Sequence, residues 1–317
     1  MPAIEPSKWL AFLRTEYLEG FIKAGGTSVK FVVPLDKTLV ASLNEDITTQ
    51  ADQCGYIATK VSSADTRVHL VDQIFFRIAE QVPWEEMSRR AVTRLAKEAG
   101  YAIPTAASRE PLGEALASLN RVDRSVVAMD VRRWVSSSIF RSLSRDFRVS
   151  MTQLCLAAIA GGSNGETVTN AITDWLTGRN KAVGAVRPYQ LFSRISRSNA
   201  RHLLESLLLW APFCGYAGLL LVLDISRVTI PRNPRDDVNY YTKAAMLDAY
   251  EVLRQFIDST EQLKNCLVVV VADGAFLDVE PDGRGMGAYN ALKLRVYDDI
   301  HDERLVNPMA ALVRLAL

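Results

Sequence analysis

Long apolar runs are missing from this sequence. Cys266 to Ala272, a run no other exceeds, has the length of a strand and falls far short of the ~18 residues a membrane span needs. A bundle of membrane-crossing helices is therefore excluded. The amino terminus, MPAIEPSKWLAFL, has no basic segment followed by an apolar one, so no secretory leader is expected and the chain reads as cytoplasmic. Cysteine is scarce: Cys54, Cys155, Cys214 and Cys266 are far apart and form no CxxC pair. That pattern supports neither a disulfide framework nor a zinc site. His69, His202 and His301 are as widely scattered and lack ligand spacing. No internal repeat is visible.

What is present suits a soluble α/β protein. The 317 residues are 49% hydrophobic and 23% charged, enough for one large domain with a sizeable insertion. The net charge of +1 is unevenly spread. Residues 84–201 carry 18 Lys/Arg against 10 Asp/Glu, whereas residues 202–317 carry 11 against 16. A basic middle between acidic ends either meets an anionic partner or is a helical region with solvated arginines.

The periodicity divides the chain in three. Trp9, Leu10, Phe12, Leu13, Tyr17, Leu18, Phe21 and Ile22 recur at helical spacing, with Ser7 as the expected N-cap and Gly25-Gly26 as the stop. Val29 to Val33 reads as a buried strand, 37–53 as a helix, Tyr56 to Val61 as a second strand and 66–81 as a helix. Strand–helix alternation of this kind implies a parallel sheet covered by helices. From Trp84 to about Trp210 helical patterns dominate, including a helix over 126–143. Strands return with 218-GLLLVLDI-225 and 266-CLVVVVADG-274, apolar on both faces as central parallel strands are. Between them lie a polar loop, 226–241, and a strongly periodic helix, 243–259. The expected organisation is a core begun by residues 1–83, interrupted by a basic helical insertion, 84–210, and completed by 211–317.

Glycine is absent from one place where it would matter. In 28-SVKFVVPLDKTLVASL-43 a strand leads into Lys37-Thr38 and a helix, as in the phosphate-binding pattern GxxxxGK[ST]. Such loops are glycine-rich because successive backbone amides must wrap a phosphate. Here only Pro34, Leu35 and Asp36 separate Val33 from Lys37. Pro34 has no amide hydrogen, and Asp36 places a carboxylate where the last glycine would be. Lys37 and Thr38 still offer an ammonium and a hydroxyl. A second element, LLLVLD, ends in Asp224, the position from which an aspartate holds Mg²⁺ in P-loop NTPases. Ile225 stands where a glutamate would polarise water. A carboxylate merely finishing a strand explains Asp224 as well. Asp273 follows the VVVVA strand and is explained by a turn with Gly274. Gly283, Gly285 and Gly287 alternate and do not make a dinucleotide fingerprint; a loop entering a helix at Ala288 fits better.

Taken as a set, GGTSVKFVV, the Lys-Thr helix, CGYAGLLLVLD, DGRGMGAYNALKLR and NPMAALVRL resemble the P-loop ATPase family of BREX-type phage-defence systems, the BrxD-like ATP-binding proteins. The likeness runs from about Trp9 to the C-terminus and is weakest in the helical middle. It implies a P-loop NTPase-like (AAA-like) three-layer α/β/α fold with a mainly parallel sheet and a large helical insertion. It also implies ATP with Mg²⁺ as the cofactor, bound by Lys37, Thr38 and Asp224, with Thr38 and Asp224 as the metal ligands. Arg295 and Arg314 lie in matching stretches and are expected to reach a neighbouring subunit's phosphate, which leaves room for an oligomer. The chain departs from the family at the glycine loop and at the Walker B glutamate. A helical lid would follow NPxxxxxRL, and its absence before Leu317 is expected to remove another side of the nucleotide pocket.

Three functions compete. The first is a degenerate, non-hydrolysing subunit of a bacterial defence assembly that acts through protein contacts. The second is an active ATP-binding and hydrolysing enzyme of that assembly. The third is DNA binding through Arg121, Arg124, Arg132, Arg133, Arg141, Arg145 and Arg148 of the basic middle. The stripe Val126, Val127, Val131, Val135, Ile139 and Leu143 offers the plain alternative that these arginines are the outer face of a packed helix.

Overall fold

A computed structural model describes residues 3–36, 38–105, 111–137, 142–180, 182–297 and 306–316. It divides into two units, one made of 1–81 with 216–317 and the other of 82–215.

The first unit is built on five strands, β1 (Thr27–Pro34), β2 (Ile57–Ser62), β3 (Leu219–Asp224), β4 (Cys266–Val271) and β5 (Leu312–Leu315). Their order is β2-β3-β4-β1-β5, and every pairing is parallel. One face is covered by α1 (Pro6–Phe12), a π-helix (Leu13–Phe21) and α2 (Leu39–Gln53). There Trp9, Leu13, Leu18, Leu43 and Ile47 pack on Val32, Leu220, Val222, Leu267, Val269, Val271, Val313 and Leu315. The other face holds an aromatic stack: Phe31 lies on Phe276 with ring centroids 5.6 Å apart, and Tyr250 of α10 (Lys243–Asp258) meets Phe276 edge-on at 5.8 Å. Alternate residues of β1 thus serve opposite layers, as a pleated strand requires. The result is the three-layer α/β fold expected of a P-loop NTPase-like chain. Each fully buried large side chain here contributes about 1.5–3 kcal/mol, so packing on the two faces, more than helix propensity, holds the layers together.

Both sheet edges are closed by short devices. On β5, Ile4 donates to Arg314 O and accepts from Ala316 N, at 2.9 and 3.1 Å. On β2 the side chain of Gln81 imitates a strand: Oε1 accepts from Lys60 N at 2.9 Å and Nε2 donates to Lys60 O at 2.9 Å. Exposed edges recruit other strands. Gln81→Ala is expected to lower stability by about 1 kcal/mol and to increase self-association at high concentration, measured by light scattering.

The second unit is helical: α4 (Trp84–Glu98), α5 (Leu112–Asn120), α6 (Arg124–Val135), α7 (Arg145–Ala160), α8 (Gly162–Leu176) and α9 (Ala200–Phe213). Its core includes Met87, Val92, Val127, Val131, Phe147 and Met151, all buried. The first unit also contains α3 (Val71–Ala79) and α11 (Asn290–Val296).

Several sequence expectations need correction. The helix expected at 66–81 is only Val71–Ala79. The buried hydroxyl of Tyr241 donates toward the carbonyls of Thr66 and Ser63 and accepts from Val68 N, which ties this backbone into turns. Helix 126–143 is also shorter: α6 ends at Val135, and Ser144 caps a separate α7 by accepting from Phe147 N. Leu143 is buried between them, whereas Ile139 lies outside the described residues. Ser7 is not the N-cap of α1, which starts at Pro6; its hydroxyl donates to Glu5. The last helix begins at Asn290 after a 3-10 turn at Met286–Ala288, not at Ala288. Strand β5 was not anticipated at all.

Candidate functional site

In a parallel sheet, loops at the carboxyl ends of the strands form the crevice where ligands bind, above all where successive connections leave in opposite directions. That point lies between β1 and β4. From β1 the chain crosses to β2 at the far edge, and from β4 it crosses the other way to β5. The register places Val32, Val271, Asp224 and Ser62 in one row across the sheet. Asp224 is therefore on the same sheet edge as the β1–α2 turn, two strand spacings away, or about 10 Å.

The turn after β1 has little backbone to offer a ligand. Pro34 carries no amide hydrogen, and it pairs with Leu315 at the end of the strand. Leu35 N donates to Leu315 O at 2.8 Å, and Leu39 N to Asp36 O at 3.2 Å. Thr38 N donates to the carboxylate of Asp36 at 2.9 Å. This hydrogen bond from the Thr38 backbone, with help from its side chain, holds the Asp36 carboxyl below the usual carboxylate range. Of the amides at the start of α2, donors of the kind that cradle a phosphate, Thr38 N thus faces the chain's own anion and Leu39 N a carbonyl. Asp36 and Thr38 are both exposed. Lys37, expected to contact phosphate, lies outside the described residues.

Asp224 is half-buried and held from two sides. Ser62 Oγ donates to one carboxylate oxygen at 3.3 Å and Ser226 N to the other at 2.9 Å. Ile225 contributes a side chain buried to 1% and an N–H bonded to Val271 O, so nothing at that position can orient water. Asp273 accepts from Thr229 Oγ1 at 2.8 Å, which fastens the loop after β3 to the end of β4. Among the described residues, no group of three or more His, Cys, Asp or Glu side chains is arranged to hold a metal ion.

Other residues, unremarked in the sequence, organise this edge. Arg227 makes a two-pronged ion pair with Asp236 at 2.8 and 2.9 Å. Arg284 donates from Nη2 to Val228 O and Tyr241 O at 2.9 and 2.7 Å. Both ends of the 226–241 loop are therefore anchored. Arg284 is delivered by the GRGMG segment, whose glycines answer a packing need: a Cβ on Gly287 would lie 2.0 Å from the carbonyl carbon of Val279. The signal was in the sequence as alternating glycines, but only the fold says what they pack against.

The remaining candidates are dispersed. Arg295 pairs with Asp258, Nε to Oδ1 at 2.5 Å and Nη2 to Oδ2 at 3.1 Å, and also donates to Ala291 O. Arg314 is in β5 opposite Val33 of β1. In the helical unit, Arg124 pairs with Glu114, Arg133 with Asp130 and Arg145 with Asp146. Arg121, Arg132 and Arg148 make no ion pair with a described residue, and Arg141 is outside them.

The description BREX system ATP-binding protein BrxC/D matches residues 144–317, more than half of the chain. The protein belongs to the BrxC/D family of BREX system ATP-binding proteins. The match takes in β3, β4, β5 and the GRGMG segment, whereas β1 and Thr38 lie outside it. No curated protein and no solved structure matches the chain. Membership in BrxC/D ties the chain to BREX-type phage defence, and points to other proteins of that system as its partners. Among the described residues, no helix is long and apolar enough to cross a membrane.

Proposed function

We infer that this BrxC/D-family chain is a degenerate ATPase-like subunit of a BREX defence assembly, serving through protein contacts and not through ATP turnover. One observation carries the reading: Thr38 N at the start of α2 donates to the Asp36 carboxylate, and Leu35 N in the turn before it donates to β5, so a triphosphate finds a carboxylate where it needs donors. Ile225 adds a second reason, because hydrolysis requires a group that orients water. DNA binding has less support, since Arg124, Arg133 and Arg145 already face carboxylates.

Isothermal titration of the protein with Mg-ATP tests the reading. No saturable heat is expected. Micromolar affinity abolished by Lys37→Ala, or Mg²⁺-dependent hydrolysis abolished by Asp224→Ala, would establish the active-ATPase reading in its place.

A further inference from the structure

The helical unit contains a cavity of about 390 Å³ between α4, the start of α5, α7 and the start of α8. This is at the small end of the range for ligand pockets, about 300–1,000 Å³. Leu154, Ala157 and Ala158 of α7 supply its apolar wall, and Glu85, Arg89 and Glu166 bring charge to it. The space exists because small residues stand where α7 and α8 meet. A Cβ on Gly165 would lie 2.6 Å from Ala157 O, so α8 rests backbone-close on α7 and leaves no long side chain to fill the gap.

The charges around it are exposed and make no ion pair among the described residues. On α4, Glu86 and Arg90 pair at 2.8 Å across one helical turn, the ordinary fate of a Glu–Arg pair four residues apart. Glu85 and Arg89 have the same spacing, yet neither they nor Glu166 form an ion pair with a described residue. Two carboxylates and one guanidinium therefore border a short apolar wall. An occupant that matches them has one anionic group, up to two cationic groups and an aliphatic stem.

We propose that this cavity binds a basic α-amino acid of the lysine or arginine class. The ligand's carboxylate meets Arg89, its ammonium and side-chain cation meet Glu85 and Glu166, and its methylene stem lies along Leu154, Ala157 and Ala158. This site is independent of the reading of the β1–α2 turn.

Titration calorimetry of the full chain with L-arginine and L-lysine tests it, with agmatine (no carboxylate) and norleucine (no side-chain cation) as probes. Saturable binding of at least one of the two amino acids is expected. Affinity should fall about tenfold or more for agmatine and norleucine, and likewise in Glu166→Gln, each having lost one charge-assisted contact. Ala158→Leu, which fills the cavity, should abolish binding. Glu166 is exposed, so its variant should fold even if Ala158→Leu does not. Absence of saturable heat with both amino acids overturns the proposal. So does binding that Glu166→Gln leaves unchanged.

Discussion

Relative to Lys30→Met, the wild-type protein is expected to gain about 3 kcal/mol of stability as pH rises from 7 to 10.5. Lys30 is in β1 with only 4% of its surface exposed. Its Nζ donates to Met309 O at 2.5 Å and Ala310 O at 3.2 Å, and lies 4.5 Å from the ring centroid of Tyr17. None of these partners is a carboxylate. Burial therefore lowers the ammonium from its ordinary 10.5 to about 8. The sign follows from proton linkage. Below pH 8 the lysine is charged in both the folded and unfolded states, and folding carries the full cost of desolvating it. Between 8 and 10.5 the unfolded chain holds the proton more often than the folded one, so stability rises with pH. A shift of that size corresponds to about 3 kcal/mol. Methionine has no such charge, so its curve lacks this rise. Urea unfolding of both proteins at the two pH values measures the difference directly. A difference that does not change with pH would mean that Lys30 is not buried as a cation.

The same residue shows what sequence could and could not reveal. The run around Lys30 was legible as a buried strand because Val29, Phe31, Val32 and Val33 surround it. That its side chain turns inward, onto Tyr17 and the carbonyls before β5, depends on contacts about 280 residues apart in the chain. β3 and β4 were legible for a stronger reason: five consecutive apolar residues in one and six in the other leave no other sensible place for them than the middle of a parallel sheet. β5 was not, being four residues long with Arg314 inside it. Nor was the π-helix over Leu13–Phe21, since an apolar pattern near 3.6 residues per turn does not distinguish one helix type from the other. At the candidate site, the short Pro-Leu-Asp bridge was visible as a steric problem. The edge-anchoring roles of Arg227 and Arg284 were not, because their partners are distant carbonyls and a carboxylate within a polar loop, neither of which leaves a pattern.

Asp36→Gly is expected to open the start of α2 to anions. In the native chain Thr38 N donates to Asp36 Oδ1, so an incoming phosphate must both displace that hydrogen bond and approach a like charge. Glycine removes the carboxylate and restores the small residue that a phosphate loop uses at this point. The helix N-terminus then presents a free amide together with its favourable dipole. Lys37 and Thr38 remain in the sequence beside it. Affinity for Mg-ATP should rise roughly tenfold or more over the native protein, the range expected when one like charge a few ångströms away is removed at a protein surface. Asp36→Asn separates the two causes. It keeps a side chain that can cap Thr38 N but removes the charge, so an intermediate gain is expected. Hydrolysis should stay absent in both variants, because Ile225 still cannot orient water. If neither variant gains nucleotide affinity, Asp36 is not what closes this edge of the sheet, and the short bridge itself must be the obstacle.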